Sequence, residues 1–579
     1  MPSRRDLHRL TLAAAAGAAV PAAWSTPAAA AAPTVTETST QVTVNNGPVQ
    51  LVVTKSGGGR ATSLRLGGRE LLGGGGVGYY DVVSEAVGTP VALPPAGTTY
   101  RVRRGADFVD VSCEIGPSSG APFTTVRHFI VRTGEPGIHL ATEFRHSADA
   151  HAFKAVQHRF VLRVNPAMFT HASVQDDPIG LRWRAAAAVL PTPAHLRAAP
   201  AVMDATDDLN GLGSSYPRRY YTKYDWATYH KDHVLHGFYG NGYGVWAVLA
   251  NKEAFCGGPT RQDLTLHQTE TTPVLLVEPQ ATHYGSPALA VRGAWSKTYG
   301  PYFIHLNTGT DPVALRADAM RYTRPGFHQA FYDQLGLPGW VPTTQRATVS
   351  GRVTIPGTPG MTGAVAVLSD NRLDFQRTVL GFQYWADVNA DGSFQLAGVR
   401  PGRYRLTVYR PGVWGEFVRD DVVVEPGRAL RIPDASWSPV SHGRTLWQIG
   451  TPDRTSAEFR RGRDFRQWGL ESRHLTDFPN GVTYTVGTST NADWNYVQYQ
   501  RLNGTPLAPW RIRFNLAAAP ASGAAATLTI ALAAWSLETA RPVPDRTSSL
   551  NIGVNGSPPL VWTFQPDDSR SSLYRSGTS

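Results

Sequence analysis

Cysteine is almost missing from this chain: Cys113 and Cys256 are the two in 579 residues. One pair cannot act as a disulfide framework for so long a chain, and neither thiol has a second cysteine at zinc-ligand spacing. Both flank β-like segments, where buried free thiols are at least as natural as a bridge. Charge is also sparse, with Asp, Glu, Lys and Arg making up 17% of residues. The formal net charge of +11 favours an anionic partner, yet long polybasic runs are absent, which argues against nucleic acid. No stretch is apolar for long enough to span a bilayer. The G-x-S-x-G elbow, the H-E-x-x-H zinc motif, the phosphate loop and the dinucleotide fingerprint do not occur. His230 and His233 stand three apart without a third ligand, which is not a metal motif.

What is present is β-structure. Short Val-, Thr- and Leu-rich runs are punctuated by Gly and Pro, and the length fits about three or four domains. The run QVTVNNGPVQLVV (41–53) alternates on either side of Asn45-Asn46-Gly47, a hairpin pattern. The segment Asp311–Gln334 is the best helical exception, with Ala and Leu at helical spacing up to Pro325. The expected domains are a large sandwich over 33–342, a compact fibronectin III-like sandwich over 343–436, and a jelly roll over 437–579. Asp387–Gly392 (DVNADG) resembles the start of a calcium loop, but Gly398 stands where the bidentate Glu is needed, so a β-turn is the better reading. At the N-terminus, Ser3-Arg4-Arg5-Asp6-Leu7, the apolar run Leu10–Val20 and the alanines 28–32 have the three-part design of a twin-arginine export signal. The expectation is a secreted bacterial protein exported already folded, with no membrane anchor.

The densest chemistry lies in Tyr220–Gly237 (YYTKYDWATYHKDHVLHG), where lysines and histidines crowd among aromatic rings. Either these are core and surface residues, or they floor a site that grips sugars and moves protons. Within it, Tyr221-Thr222-Lys223-Tyr224-Asp225 leads to His236-Gly237, Gly244-Val245-Trp246, Gly257-Gly258-Pro259 and Asp263-Leu264. Thr282-His283-Tyr284-Gly285 and Tyr299-Gly300-Pro301 follow. The order continues through FQYW (382–385), VRPGRY (399–404), LWQIGTPDR (446–454) and FRQWGL (465–470). This ordered set resembles the rhamnogalacturonan endolyases of polysaccharide lyase family 4 over nearly the whole chain after the signal.

The resemblance implies a mainly-β fold: a galactose mutarotase-like β-supersandwich carrying catalysis, a fibronectin III-like domain and a carbohydrate-binding jelly roll. It implies a monomeric enzyme acting on rhamnogalacturonan I, an anionic pectin backbone, by β-elimination at the bond from rhamnose to O4 of galacturonate. It further implies Lys223 as base, His283 as acid, and Arg159 and Arg163 as substrate-binding arginines. Those arginines lie four apart in HRFVLR, which on a strand puts both on one face. Removing a proton α to a carboxylate requires that charge to be neutralised and a base to stand nearby. No cofactor is required on this account, since arginine takes the place of a metal; a structural calcium has no motif to support it.

Two departures stand out. Tyrosines that shape the site in fungal members correspond by count to Glu278 and Leu276, with Tyr284, Tyr221 or Tyr224 available to fill the space. The chain also stops soon after NIGVNGSPPLVW, leaving the expected jelly roll short of strands. Trp226, Tyr229 and Trp246 are candidates for stacking on sugar, each read first as core. The competing readings are a non-catalytic pectin binder on the same scaffold and a glycoside hydrolase, which needs two carboxylates across the bond. For the latter Asp225 and Glu270 are available.

Overall fold

Alternation of apolar and polar residues builds two large sheets, seen in a computed structural model that describes residues 31–73, 78–84, 90–91, 98–174, 189–282, 286–464, 469–498, 501–502, 505–532 and 548–564. Residues 1–30 of the export signal, His283, Tyr284 and residues 465–468 therefore lie outside the described residues. Among the described residues, one sheet has eleven strands, and its path ends in Gly78–Ser84, Phe153–Arg163, Pro273–Ala281 and Leu266–Gln268. The other has eight, with Leu235–Gly240, Tyr243–Val248, Trp295–Thr308, Gly137–His146 and Thr124–Arg132 at its centre. The two sheets bury a shared core: Val44, Leu51, Leu64, Phe160 and Leu162 from the first meet Val111, Phe129, Ile138 and Ile304 from the second. The Asn45-Asn46-Gly47 turn is as expected, joining Gln41–Asn45 to Val49–Thr54 with Gly47 at φ +100°. The helical exception is real but divided, into Pro312–Met320 and Gln329–Gln334 on either side of Pro325.

The strand Phe153–Arg163 is not regular. Its register shifts between Ala155 and Gln157 against Gly78–Ser84, and between His158 and Phe160 against Pro273–Ala281. Phe153 and Ala155 point into the core before these bulges; Phe160 and Leu162 do so after them. Parity therefore flips midway, and Arg159, Val161 and Arg163 share the outward face.

A second core forms between two four-stranded sheets drawn from 347–436, with Val349, Leu368, Phe394, Leu406 and Val424 buried. Trp437 closes it. Here Asp387–Gly392 is a turn, since Asn389 N–H donates to Ser393 O at 2.8 Å and Asp391 Oδ1 accepts from Ser393 N–H at 3.0 Å. Beyond residue 440 the described strands pair two by two, including Thr483–Thr485 with Arg511–Arg513 and Ser548–Ile552 with Leu560–Phe564. Both cysteines are buried free thiols. No helix among the described residues is long and apolar enough to cross a membrane.

Candidate active site

The outward face of the eleven-stranded sheet gathers the charged residues by register. Arg159 pairs across the ladder with Asp81, and Val161 with Tyr79 on one side and Leu276 on the other. Arg163 pairs with Val274, which also faces His267. Residues 274, 276 and 278 alternate on one strand, so Glu278 belongs to the same face. An apolar patch of Val161, Leu264, Val274 and Leu276, with Tyr79 and Tyr224 packed against it, forms the floor.

Over this face stands a single 3-10 turn, Lys223–Trp226. Thr222 caps it by accepting from Tyr224 N–H at 3.3 Å, and Thr206 Oγ donates to Thr222 Oγ at 2.8 Å. Asp225 and Trp226 anchor the turn inward: both are fully buried, and Tyr216 O–H donates to Asp225 Oδ2 at 3.0 Å. Lys223 and Tyr224 are left on the open side. Both reach Asp204, Lys223 Nζ at 2.9 Å and Tyr224 O–H at 2.6 Å, and Asp204 itself is 68% exposed.

The two arginines are held differently. Arg159 grips Asp81 through Nε at 3.0 Å and Nη2 at 3.3 Å, and with the Gln157 amide turned to suit its neighbours a third arm meets that amide oxygen at 3.0 Å. Arg163 makes one long hydrogen bond among the described residues, Nη2 to Tyr79 Oη at 3.4 Å. His267 sits within electrostatic reach of Lys223, Arg159 and Arg163 together; burial and these cations push its imidazole down to about 3, so it stays uncharged. Glu278 is 2% exposed and, in that same amide orientation, accepts from the Gln157 amide N–H on Oε1 at 3.3 Å, while Oε2 is buried without a hydrogen-bond partner among the described residues. Burial pushes this carboxyl up to about 7, against the pull of Arg159, Arg261 and Lys223.

Lys223, Arg159, Arg163 and Tyr224 thus converge on one face. Ala281 pairs with Gln157 and Thr282 N–H donates to Val156 O at 3.0 Å, so the chain leading to His283 leaves the sheet beside the arginine strand. Tyr221 corrects its expected role. It is fully buried, its hydroxyl accepts from Gln268 N–H, and it touches no surface a sugar can reach. The crowded histidines are likewise interior: His230 and His233 contact Asp263 Oδ2 at 2.6 and 2.8 Å, and His233 contacts His236 at 2.9 Å. Trp226 and Trp246 are core, and Tyr229 turns to Tyr409 of the second sandwich. Asp225 is sealed and Glu270 exposed, which removes the carboxylate pair named for a hydrolase. Asp81, Asp204, His267 and the Gln157–Glu278 bridge are members that motif order did not single out. The one sequence signal for Glu278 is its place in the tyrosine frame.

Comparison with known proteins bears on this constellation. Family models match the chain at residues 445–579 (polysaccharide lyase family 4, domain III), 358–432 (polysaccharide lyase family 4, domain II) and 180–261 (probable rhamnogalacturonate lyase B middle domain). A probable rhamnogalacturonate lyase B of Aspergillus niger is 30% identical over 555 residues, covering 86% of this chain and 75% of that protein. Rhamnogalacturonate lyase B of Emericella nidulans is 30% identical over 561 residues, covering 87% and 82%. Among solved structures, a galactose mutarotase-like protein from Lactobacillus casei aligns with 46% of this chain and all of its own at 9% identity and a TM-score of 0.29.

Proposed function

The chain belongs to the rhamnogalacturonate lyases of polysaccharide lyase family 4, and from that premise we propose that the outward sheet face cleaves the rhamnogalacturonan I backbone by β-elimination. Arg163, with Arg159 behind it, receives the galacturonate carboxylate and offsets the charge that builds when H5 leaves. The arriving uronate displaces Asp204, the more exposed partner of that pair, the ammonium proton leaves to solvent, and Lys223 takes H5 as the free amine. The C5–H electrons form the C4=C5 double bond, the C4–O4 bond breaks, and His283 protonates the departing oxygen. The products are a shortened chain and a 4,5-unsaturated uronate. His267 contributes an uncharged imidazole beside the base, and Tyr224 holds Asp204 during the exchange.

The observation that carries this reading is Arg163, a guanidinium with one weak bond among the described residues, gathered with Lys223 around His267. A binding protein has no use for a lysine base beside it. The polymer is met outside the cell, after twin-arginine export of the folded chain. Ultraviolet absorbance of a rhamnogalacturonan I digest tests the chemistry. Wild type is expected to raise it, with or without a chelator, and Lys223→Ala is not. New reducing ends without absorbance overturn elimination in favour of hydrolysis, and retention on the polymer without cleavage overturns catalysis altogether.

A further inference from the structure

A second cluster of chemistry-bearing residues lies on the other sheet. Glu135 is in the turn between Thr124–Arg132 and Gly137–His146, His139 is on the latter strand, and His328 precedes the helix Gln329–Gln334. Their ligand-type atoms all lie within 4.8 Å of one another. His139 Nε2 is 2.8 Å from Glu135 Oε2, and His328 Nε2 is 2.6 Å from Oε1, so two imidazoles turn the same nitrogen toward one carboxylate. His139 is 0% exposed and His328 4%.

We propose that Glu135, His139 and His328 form a binding site for a divalent transition metal of the zinc class, structural rather than catalytic. Two imidazole nitrogens and one carboxylate oxygen are the mixed donor set that zinc takes, whereas calcium and magnesium want oxygen throughout. Ligands at roughly 2.0–2.2 Å from a tetrahedral ion stand about 3.3–3.6 Å apart, so the two hydrogen-bonded pairs at 2.8 and 2.6 Å must open slightly around an ion while the set as a whole, within 4.8 Å, draws in. The outer shell is built as well: Tyr332 Oη lies 3.1 Å from His139 Nδ1, placed to accept a hydrogen bond from Nδ1–H when Nε2 turns to a metal. Phe303 stacks on His139 at 4.6 Å and Tyr322 lies parallel to His328 at 5.8 Å, fixing both rings. Glu135 and His328 are 193 residues apart in sequence. An ion between them clamps the helical segment, whose Phe331, Tyr332 and Leu335 already pack on Phe108, Ile130 and Ala141, to the eight-stranded sheet. The alternative is a carboxylate satisfied by two imidazole N–H groups alone.

Cobalt separates the two. The full-length protein, stripped by a chelator, is titrated with Co²⁺ while its visible spectrum is recorded, and Zn²⁺ is then added. One equivalent with the intense bands of four-coordinate cobalt, a water completing the three protein ligands, is expected, and zinc should displace it. His328→Gln keeps an N–H toward Glu135 but is a poor ligand, and it should weaken cobalt binding by at least about tenfold. Zinc should raise the unfolding midpoint of wild type and leave that of His328→Gln in place. Elimination by the stripped enzyme should be unchanged. A missing cobalt spectrum, or one equally strong in His328→Gln and His139→Gln, overturns the site and leaves the hydrogen-bonded triad.

Discussion

Two clusters of arginines in this molecule, one at a domain junction and one on the outward sheet face, end in opposite states. At the junction between the large sandwich and the second one, Glu253 accepts from Arg346 at 2.7 and 3.0 Å, from Arg400 at 3.2 Å and from Tyr384 O–H at 2.8 Å. The remaining arms of Arg346 reach Val341 O and Gly398 O at 2.7 and 2.9 Å, and Arg400 also donates to Gly339 O. Every charge there is spoken for from within. On the outward face of the eleven-stranded sheet Arg163 has one 3.4 Å bond and Lys223 leans on a carboxylate that is mostly in water. A charge-assisted network closed on itself fastens two bodies, whereas one left open offers its donors to something from outside.

Mutations break this comparison at different depths. The largest effect is expected from Lys223→Ala, which should lower the elimination rate by roughly two to four orders of magnitude, the usual worth of a positioned base. Its unfolding midpoint should stay close to that of wild type. Glu253→Ala should do the reverse: two buried guanidiniums lose their counter-charge at a cost of about 3–5 kcal/mol, read as a lower denaturation midpoint. The rate per folded molecule should be kept, and a proportional loss of both would mean that the junction also shapes the site. Next comes Arg163→Ala, which removes one charged hydrogen-bonding partner of the uronate. A fall in kcat/KM of about 10–100-fold is expected, from roughly 1.5–3 kcal/mol, with little change in stability because so little binds Arg163 internally.

The smallest effect concerns Glu278→Gln. Below pH about 7 the Glu278 carboxyl is protonated and neutral; above it, ionisation sets a negative charge near Arg159, where the uronate must come. The kcat/KM of wild type should therefore fall relative to that of the variant as pH rises through about 7, by a few-fold, and the two should converge on the acid side. Parallel profiles across that range would mean that Glu278 does not face the bound uronate.

The parts of the site written in local sequence were legible. Arg159 and Arg163 share a face because even spacing on a strand requires it, and Lys223 was marked by its motif. The choice between Tyr221 and Tyr224 was not resolved by reading, since nothing local says which of the two faces inward. Tyr221 went to the core and Tyr224, past the cap, to the open side. Asp81, His267 and Glu278 were harder, because each meets Arg159 or Arg163 through sheet register across many residues of chain. The histidines of 230–236 look like a site in one dimension and are a buried network in three, gathered by Asp263 from another strand. The two-sheet fold and the second sandwich followed from alternation and turn spacing, which are local properties.

The bulged strand Phe153–Arg163 also constrains which variants of this scaffold can arise. Because its parity flips near Gln157, the segments before and after it are set independently against the core. Gain or loss of one residue between Arg159 and Arg163 would leave one arginine outside and turn the other into the apolar interior. Loss of Val156 would instead remove the extra residue and leave a regular strand, with Ala155 and His158 two apart and both still facing the core. Substitution away from the two arginines can tune this enzyme along the strand, but insertions and deletions between Arg159 and Arg163 should be purged, and a library that permits them there should return none with activity.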